Sequence, residues 1–214
     1  MARSFSEKKR NSFTKTPKPL LLLIAEGRNV TETQYFRQFQ LRHSTFNIKI
    51  LTPGSATDPE RMLETLERFW KKHDMSSARG DQGFVVLDLD CNEKKARLIK
   101  KLENGSQIAR FIVSNPCFEV WFVLHYRYST HVYSDGNEVI KDLRRYIPEY
   151  QKNTDVTEAL SGRLDTAMEN ACKLVEHYEK MDCQWPSDRC NPRTDVPGII
   201  DVIQRMGGNA TSNK

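Results

Sequence analysis

Long apolar runs are missing from this chain of 214 residues. The run at 20–25 is far shorter than the ~18–20 residues of a membrane-crossing helix. It is also shorter than the roughly 7–15 residues of a signal-peptide core, and it leads straight into Glu26-Gly27-Arg28 with no cleavage-site pattern. These absences exclude a helical membrane anchor and lead to the expectation of a soluble, cytoplasmic protein. Paired cysteine motifs are missing too. Cys91, Cys117, Cys172, Cys183 and Cys190 form no CxxC and leave an odd count, which favours free, buried or incidental thiols in a reducing compartment. A zinc site from Cys183, Cys190 and His177 matches no standard ligand spacing. There are no internal repeats, no low-complexity block and no aromatic-rich basic signature of an RNA-recognition domain.

Excess charge is also missing from the body of the chain. The net charge is +5, but six basic residues (Arg3, Lys8, Lys9, Arg10, Lys15 and Lys18) against the single acid Glu7 stand at the start. The rest of the sequence is balanced. Such a polar, basic arm at 1–18 reads as a solvated leader, with contact to phosphates as the alternative. A balanced body predicts weak nucleic-acid binding by the isolated chain and reliance on a partner.

What is present is an alternation of strands and helices. Residues 19–25 are continuously apolar, as a strand covered on both faces of a parallel sheet must be. A helix is expected from Thr31 to about Leu41, with Tyr35, Phe36 and Phe39 at helical spacing. A strand follows at 46–51, broken by Pro53-Gly54-Ser55. Asp58-Pro59-Glu60 starts a helix, with Asp as cap and Pro in the first turn. Met62, Leu63, Leu66, Phe69 and Trp70 line one face of it. A third strand at 83–88 ends in acid and leads to a lysine-rich helix at 92–103. A fourth strand at 109–114 leads to Asn115-Pro116, read as the cap of an apolar helix at 117–126. Four alternations predict a three-layer α/β fold with a mainly parallel four-stranded sheet. From Arg127 the pattern turns helical, at 138–147, 164–181 and 197–206. The chain therefore divides into a basic tail at 1–18, a core at 19–126, a mainly helical extension at 127–207 packed on it, and a frayed end at 208–214. The extension is the candidate surface for a partner or substrate.

Ligands of open parallel sheets bind beyond the carboxyl ends of the strands. There the sequence sets Glu26-Gly27 after strand one, Asp88-Leu89-Asp90 after strand three, and Glu119 just after strand four. Residues two apart in extended chain point the same way, roughly 7 Å apart, and two carboxylates so held repel unless a cation lies between them. Mg²⁺ takes oxygen ligands and is satisfied by one or two carboxylates plus a substrate phosphate. A cluster of acids without an obligatory nucleophile is what metal-assisted phosphodiester hydrolysis asks for. Asp88 and Asp90 are candidate metal ligands. Glu26 is a candidate general base or further ligand, and Glu32 and Glu119 are supporting acids. Arg28, Lys94 and Lys95 are candidates for holding phosphate. Trp121 and His125 read as core.

Several stretches resemble RloB-like proteins. The first is Leu22-Leu23-Ile24-Ala25-Glu26-Gly27 followed by Thr31-Glu32 and Tyr35-Phe36. Val85-Val86-Leu87-Asp88-Leu89-Asp90 is similar to the DxD of their Toprim domain. The most specific block is Ser114-Asn115-Pro116-Cys117-Phe118-Glu119-Val120-Trp121 with Leu124-His125-Tyr126, and Asn191-Pro192-Arg193-Thr194-Asp195-Val196 resembles a C-terminal element. The resemblance covers roughly residues 20–205. It implies a Toprim-like catalytic core, a divalent metal (Mg²⁺ or Mn²⁺) on Glu26, Asp88 and Asp90, and nuclease chemistry on RNA or DNA. It further implies a place in restriction loci and abortive anti-phage defence beside an AAA/ABC-type ATPase. A primase- or topoisomerase-like enzyme would need further domains. A receiver domain would place its paired acids after strand one. A catalytically silent Toprim module that binds nucleic acid or a partner is the alternative from a different class.

Overall fold

The structure is a computed structural model and describes residues 17–26, 31–40, 45–52 and 58–208. The basic tail up to residue 16, Arg28, the break at Pro53-Gly54-Ser55 and the end from 209 lie outside the described residues. The elements follow in the order β1 (Leu20–Ala25), α1 (Thr31–Arg37), β2 (Asn47–Leu51), α2 (Pro59–Lys72), β3 (Gln82–Asp88), α3 (Glu93–Gly105), β4 (Ala109–Asn115) and α4 (Glu119–Leu124). Then come α5 (Gly136–Leu143), α6 (Thr157–Leu160), α7 (Leu164–Lys180), β5 (Arg193–Thr194) and α8 (Val196–Met206).

The sheet runs β2-β1-β3-β4-β5. Its first four strands are parallel, with Ile24 opposite Val85 and Asp88 opposite Ser114. The fifth strand goes beyond the four expected. It is two residues long, pairs antiparallel with β4, and comes from the helical extension. Two residues carry no periodicity, so the sequence offers no strand signal there.

The continuous apolar character of β1 has a direct cause. Leu21, Leu23 and Ala25 join a cluster with α1, α4, α5, α7 and α8. Leu22 and Ile24 join the opposite cluster with α2 and α3. Each face is covered, so alternation has no polar side to display. The extension therefore joins α1 and α4 in one of the three layers and shares its core with β1, β3 and β4. On the other face, Gly83 of β3 allows close packing. A β-carbon there would sit 2.9 Å from the Ile108 carbonyl oxygen and 3.0 Å from a Leu66 methyl, nearer than such atoms come. Asp58 caps α2 as expected, accepting from the Arg61 amide at 3.0 Å, and Asn92 caps α3 through Lys95 N–H at 3.1 Å.

Three expectations are corrected. Asn115 does not cap a helix. It is fully buried, and Glu119 is the first residue of α4 with Phe118 at its cap. The Asn115 amide instead bridges two loops. Its Nδ2 donates to the carbonyls of Cys190 at 3.0 Å and Asp188 at 3.1 Å, and its Oδ1 accepts from Cys91 N–H at 3.1 Å. Cys183 and Cys190 are joined in a disulfide, not free, with their Cα atoms 6.5 Å apart. The loop between them folds back on itself, a closeness that a separation of seven residues does not announce. Helix α1 ends at Arg37, short of Leu41.

Candidate active site

The strand order decides where the acids meet. β1 lies centrally, with β2 on one side and β3 on the other, so the chain reverses its direction of winding between β1 and β3. Crevices at such switch points are where open α/β sheets bind ligands. Glu26 follows β1 and Asp88 ends β3, so the two carboxylates flank that crevice. A hydrogen bond ties the two positions together, Glu26 Oε2 accepting from the Asp88 amide at 3.1 Å.

Past Asp88 the backbone is held from the β4 side. Leu89 N–H donates to Ser114 O at 2.7 Å, and Asp90 N–H to Pro116 O at 2.9 Å. Asp90 and Cys91 then both adopt left-handed backbone, with φ of 55° and 52°. Aspartate tolerates this region better than most residues, and the Asn115 bond to Cys91 N–H fixes the turn. The turn separates the two acids of the pair. Asp88 faces inward, its Oδ1 accepting from Phe118 N–H at 2.8 Å, while Asp90 is exposed.

Lys95 closes the arrangement. Its Nζ lies 3.1 and 3.0 Å from the two Glu26 oxygens and 3.0 Å from Asp90 Oδ2. Its side chain is only 13% exposed, so this is a sheltered cation holding two acids together. Although burial opposes it, Glu26 and Asp90 raise the Lys95 pKa and keep it charged. Burial pushes Glu26 up while Lys95 pulls it back, with a net rise.

Behind this pair lies a second group of acids. Glu32, in the first turn of α1, and Glu119, at the start of α4, are both buried. Glu119 Oε1 accepts from the Tyr150 hydroxyl at 2.9 Å. Glu32 Oε2 is buried with no hydrogen-bond partner. Burial pushes the Glu32 carboxyl up to about 7, with the charges of Glu119 and Glu26 adding to the rise and Lys152 opposing it. Burial, and then Glu32, Glu119 and Glu26, raise Asp88 well above the usual carboxylate range. Against burial, Glu119 and Asp88 raise Lys152. The crevice thus gathers more carboxyl groups than lysines, and burial shifts Glu26, Glu32 and Asp88 towards their protonated forms.

The structure therefore brings Glu26, Asp88, Asp90 and Lys95 together and sets Glu32 and Glu119 within electrostatic reach of Asp88. Lys94 is exposed and makes no ion pair among the described residues. His125 is a core residue as expected, with its Nδ1 2.9 Å from Trp121 O and burial lowering its pKa to about 4. Sequence reasoning missed Tyr150 and Lys152, which lie in a loop with no motif, and the bridging role of Asn115. All donors at the crevice are carboxylate oxygens, which suits a hard divalent ion. Among the described residues, however, no group of three or more histidine, cysteine, aspartate or glutamate side chains is gathered closely enough to hold a metal.

The family model described as "RloB-like protein" matches residues 21–203. No curated protein and no solved structure matches the chain.

Proposed function

Because the chain belongs to the RloB-like protein family, we propose that it is a metal-dependent nuclease with a Toprim-type centre, hydrolysing phosphodiester bonds of RNA or DNA. The observation that carries this reading is the placement of Glu26, Asp88 and Asp90 at the β1–β3 switch point, with Glu26 and Asp90 sharing the sheltered charge of Lys95 and the Asp88 amide bonded to Glu26. Lys95 marks where the crevice already holds a cation. Glu26, Asp88 and Asp90 are the residues that would hold Mg²⁺ or Mn²⁺. Such an ion would neutralise charge developing on the phosphodiester and help generate the attacking hydroxide.

The chain's own residues supply the rest. Glu26, ionised beside Lys95, is placed to take a proton from water as general base. Lys95 stays charged and can pass from Glu26 and Asp90 to a phosphate oxygen. The Phe118 amide fixes one oxygen of Asp88 and leaves the other for a ligand. Glu32 and Glu119 place further carboxyl oxygens on the interior side of the crevice, within electrostatic reach of Asp88. We further propose action in the cytoplasm, in anti-phage defence, with an AAA/ABC-type ATPase partner.

One observation favours a second reading, a catalytically silent Toprim module. Lys95 already satisfies Glu26 and Asp90, and no three acids are gathered for a metal among the described residues. Incubating a mixture of tRNA and plasmid with Mg²⁺ or Mn²⁺ separates the two. Metal-dependent cutting by the wild type that disappears in Asp88→Ala/Asp90→Ala supports the nuclease. No cutting by either, with the ATPase partner also present, supports the silent module.

A further inference from the structure

A second polar concavity opens on the extension, away from the acid crevice. It encloses about 380 Å³ and is lined by Arg127, His131, Glu138, Lys141, Asp142 and Arg145, with Tyr133 at its floor. Its acids are already engaged. Asp142 accepts from Arg127 at 2.5 Å and from the Tyr133 hydroxyl at 2.6 Å, and Arg145 lies 3.2 Å from its other oxygen. Glu138 is taken by His131 at 3.1 Å and by the Ser134 amide at 2.7 Å. Its cations are not used up. Lys141 is exposed with no ion pair among the described residues, and the Arg145 side chain is 70% exposed. One helical turn apart on α5 and just beyond it, the two lie on the same side.

Two further features adjoin this segment of the chain. Tyr146, 37% exposed, stacks on Tyr126 with ring centres 4.7 Å apart and planes 12° from parallel, and it is close enough to influence Arg127. Tyr133 links the pocket to the acid crevice. Its backbone exchanges hydrogen bonds with the Asn191 side chain, N–H to Oδ1 at 3.2 Å and carbonyl from Nδ2 at 2.7 Å. Cys91 Sγ also donates to the Tyr133 carbonyl, at 3.8 Å. Cys91 directly follows Asp90.

From this geometry we infer that the pocket is a phosphate subsite for single-stranded nucleic acid, with Lys141 and Arg145 on the backbone and Tyr146 under a base. The inference rests on the proposed action on nucleic acid and adds a binding site outside the acid crevice. An unpaired lysine and a largely exposed arginine, with an aromatic ring next in the chain, are the kind of pairing that grips single strands without sequence preference. An acidic peptide would use the cations but has no planar base for the ring.

The test is fluorescence anisotropy with labelled mixed-sequence single-stranded RNA and DNA oligonucleotides, on the full chain, in EDTA so that nothing is cut. Each phosphate contact on a single strand contributes a slope of about 0.7 in log affinity against log salt. Lys141→Gln/Arg145→Gln should therefore flatten the slope by about 1.4 and weaken binding about 25-fold at 0.1 M salt. Tyr146→Ala should weaken binding by roughly tenfold, and Tyr146→Phe should leave it intact. No oligonucleotide binding by the wild type, or an unchanged slope in the glutamine variant, overturns the inference. So does loss of binding to polyglutamate alone, which would make the patch a protein-docking face. Because the assay needs no cleavage, a chain that binds as described but never cuts refutes the nuclease and leaves this site standing.

Discussion

Glu32 offers a sharp test of the electrostatics of the crevice. Its carboxyl is buried, one oxygen lacks a partner, and burial lifts its pKa to about 7 from the ordinary 4.5. A carboxyl whose pKa is higher in the folded state binds protons more tightly there than in the unfolded chain. Its favourable contribution is complete below about pH 4.5 and is lost as pH rises through about 7. A shift of about 2.5 units corresponds to at most ~3.4 kcal/mol. The perturbation is Glu32→Gln, which keeps the shape and cannot ionise. Any cost of fitting the amide is independent of pH and cancels when the two proteins are compared across pH. Urea unfolding at pH 4.5, 6, 7 and 8 should show the variant gaining on the wild type by about 2–3 kcal/mol over that span. Parallel stability profiles would refute the reasoning, because they would mean that Glu32 is solvated or already paired.

Other outcomes follow from the same contacts. Lys95→Met leaves Glu26 and Asp90 without their shared cation and should lower stability by about 1–3 kcal/mol in EDTA; thermal melts should show Mg²⁺ restoring much of the loss. Asn115→Ala breaks the bridge from Cys91 to the 183–190 loop and should cost about 2–4 kcal/mol in urea unfolding. Asn115→Asp should fare no better, since a carboxylate cannot donate to the Cys190 and Asp188 carbonyls. Burial raises Asp195 to about 6, although Trp185 Nε1–H donates to it at 2.7 Å. Its contribution is present below about pH 4 and lost through pH 6, so Asp195→Asn should remove about 1–3 kcal/mol of that pH dependence.

The parts of this molecule that were legible in its sequence are those that repeat a pattern. The unbroken apolar run of β1 announces a strand covered on both faces, and Asp58-Pro59 announces the start of α2. Glu26 and the acids of β3 could be placed at one edge because strand ends converge in any parallel sheet. The remainder depends on contacts between distant residues. Lys95 looks like any exposed lysine of a basic helix until the fold brings Glu26 beside it. Asn115 sits where a cap would sit, yet its amide is claimed by Cys91 and the 183–190 loop. Tyr150 and Lys152 reach Glu119 and Asp88 from a loop without motif, and β5 is too short to alternate.

The account depends most on whether the crevice takes up a divalent ion through its acids. Mn²⁺ binding to the full chain, followed by electron paramagnetic resonance in the presence of an uncleavable oligonucleotide, measures this without requiring turnover. The account expects bound Mn²⁺ in the wild type and its loss in Asp88→Asn/Asp90→Asn. Equal binding by both proteins, or none by the wild type, would contradict it.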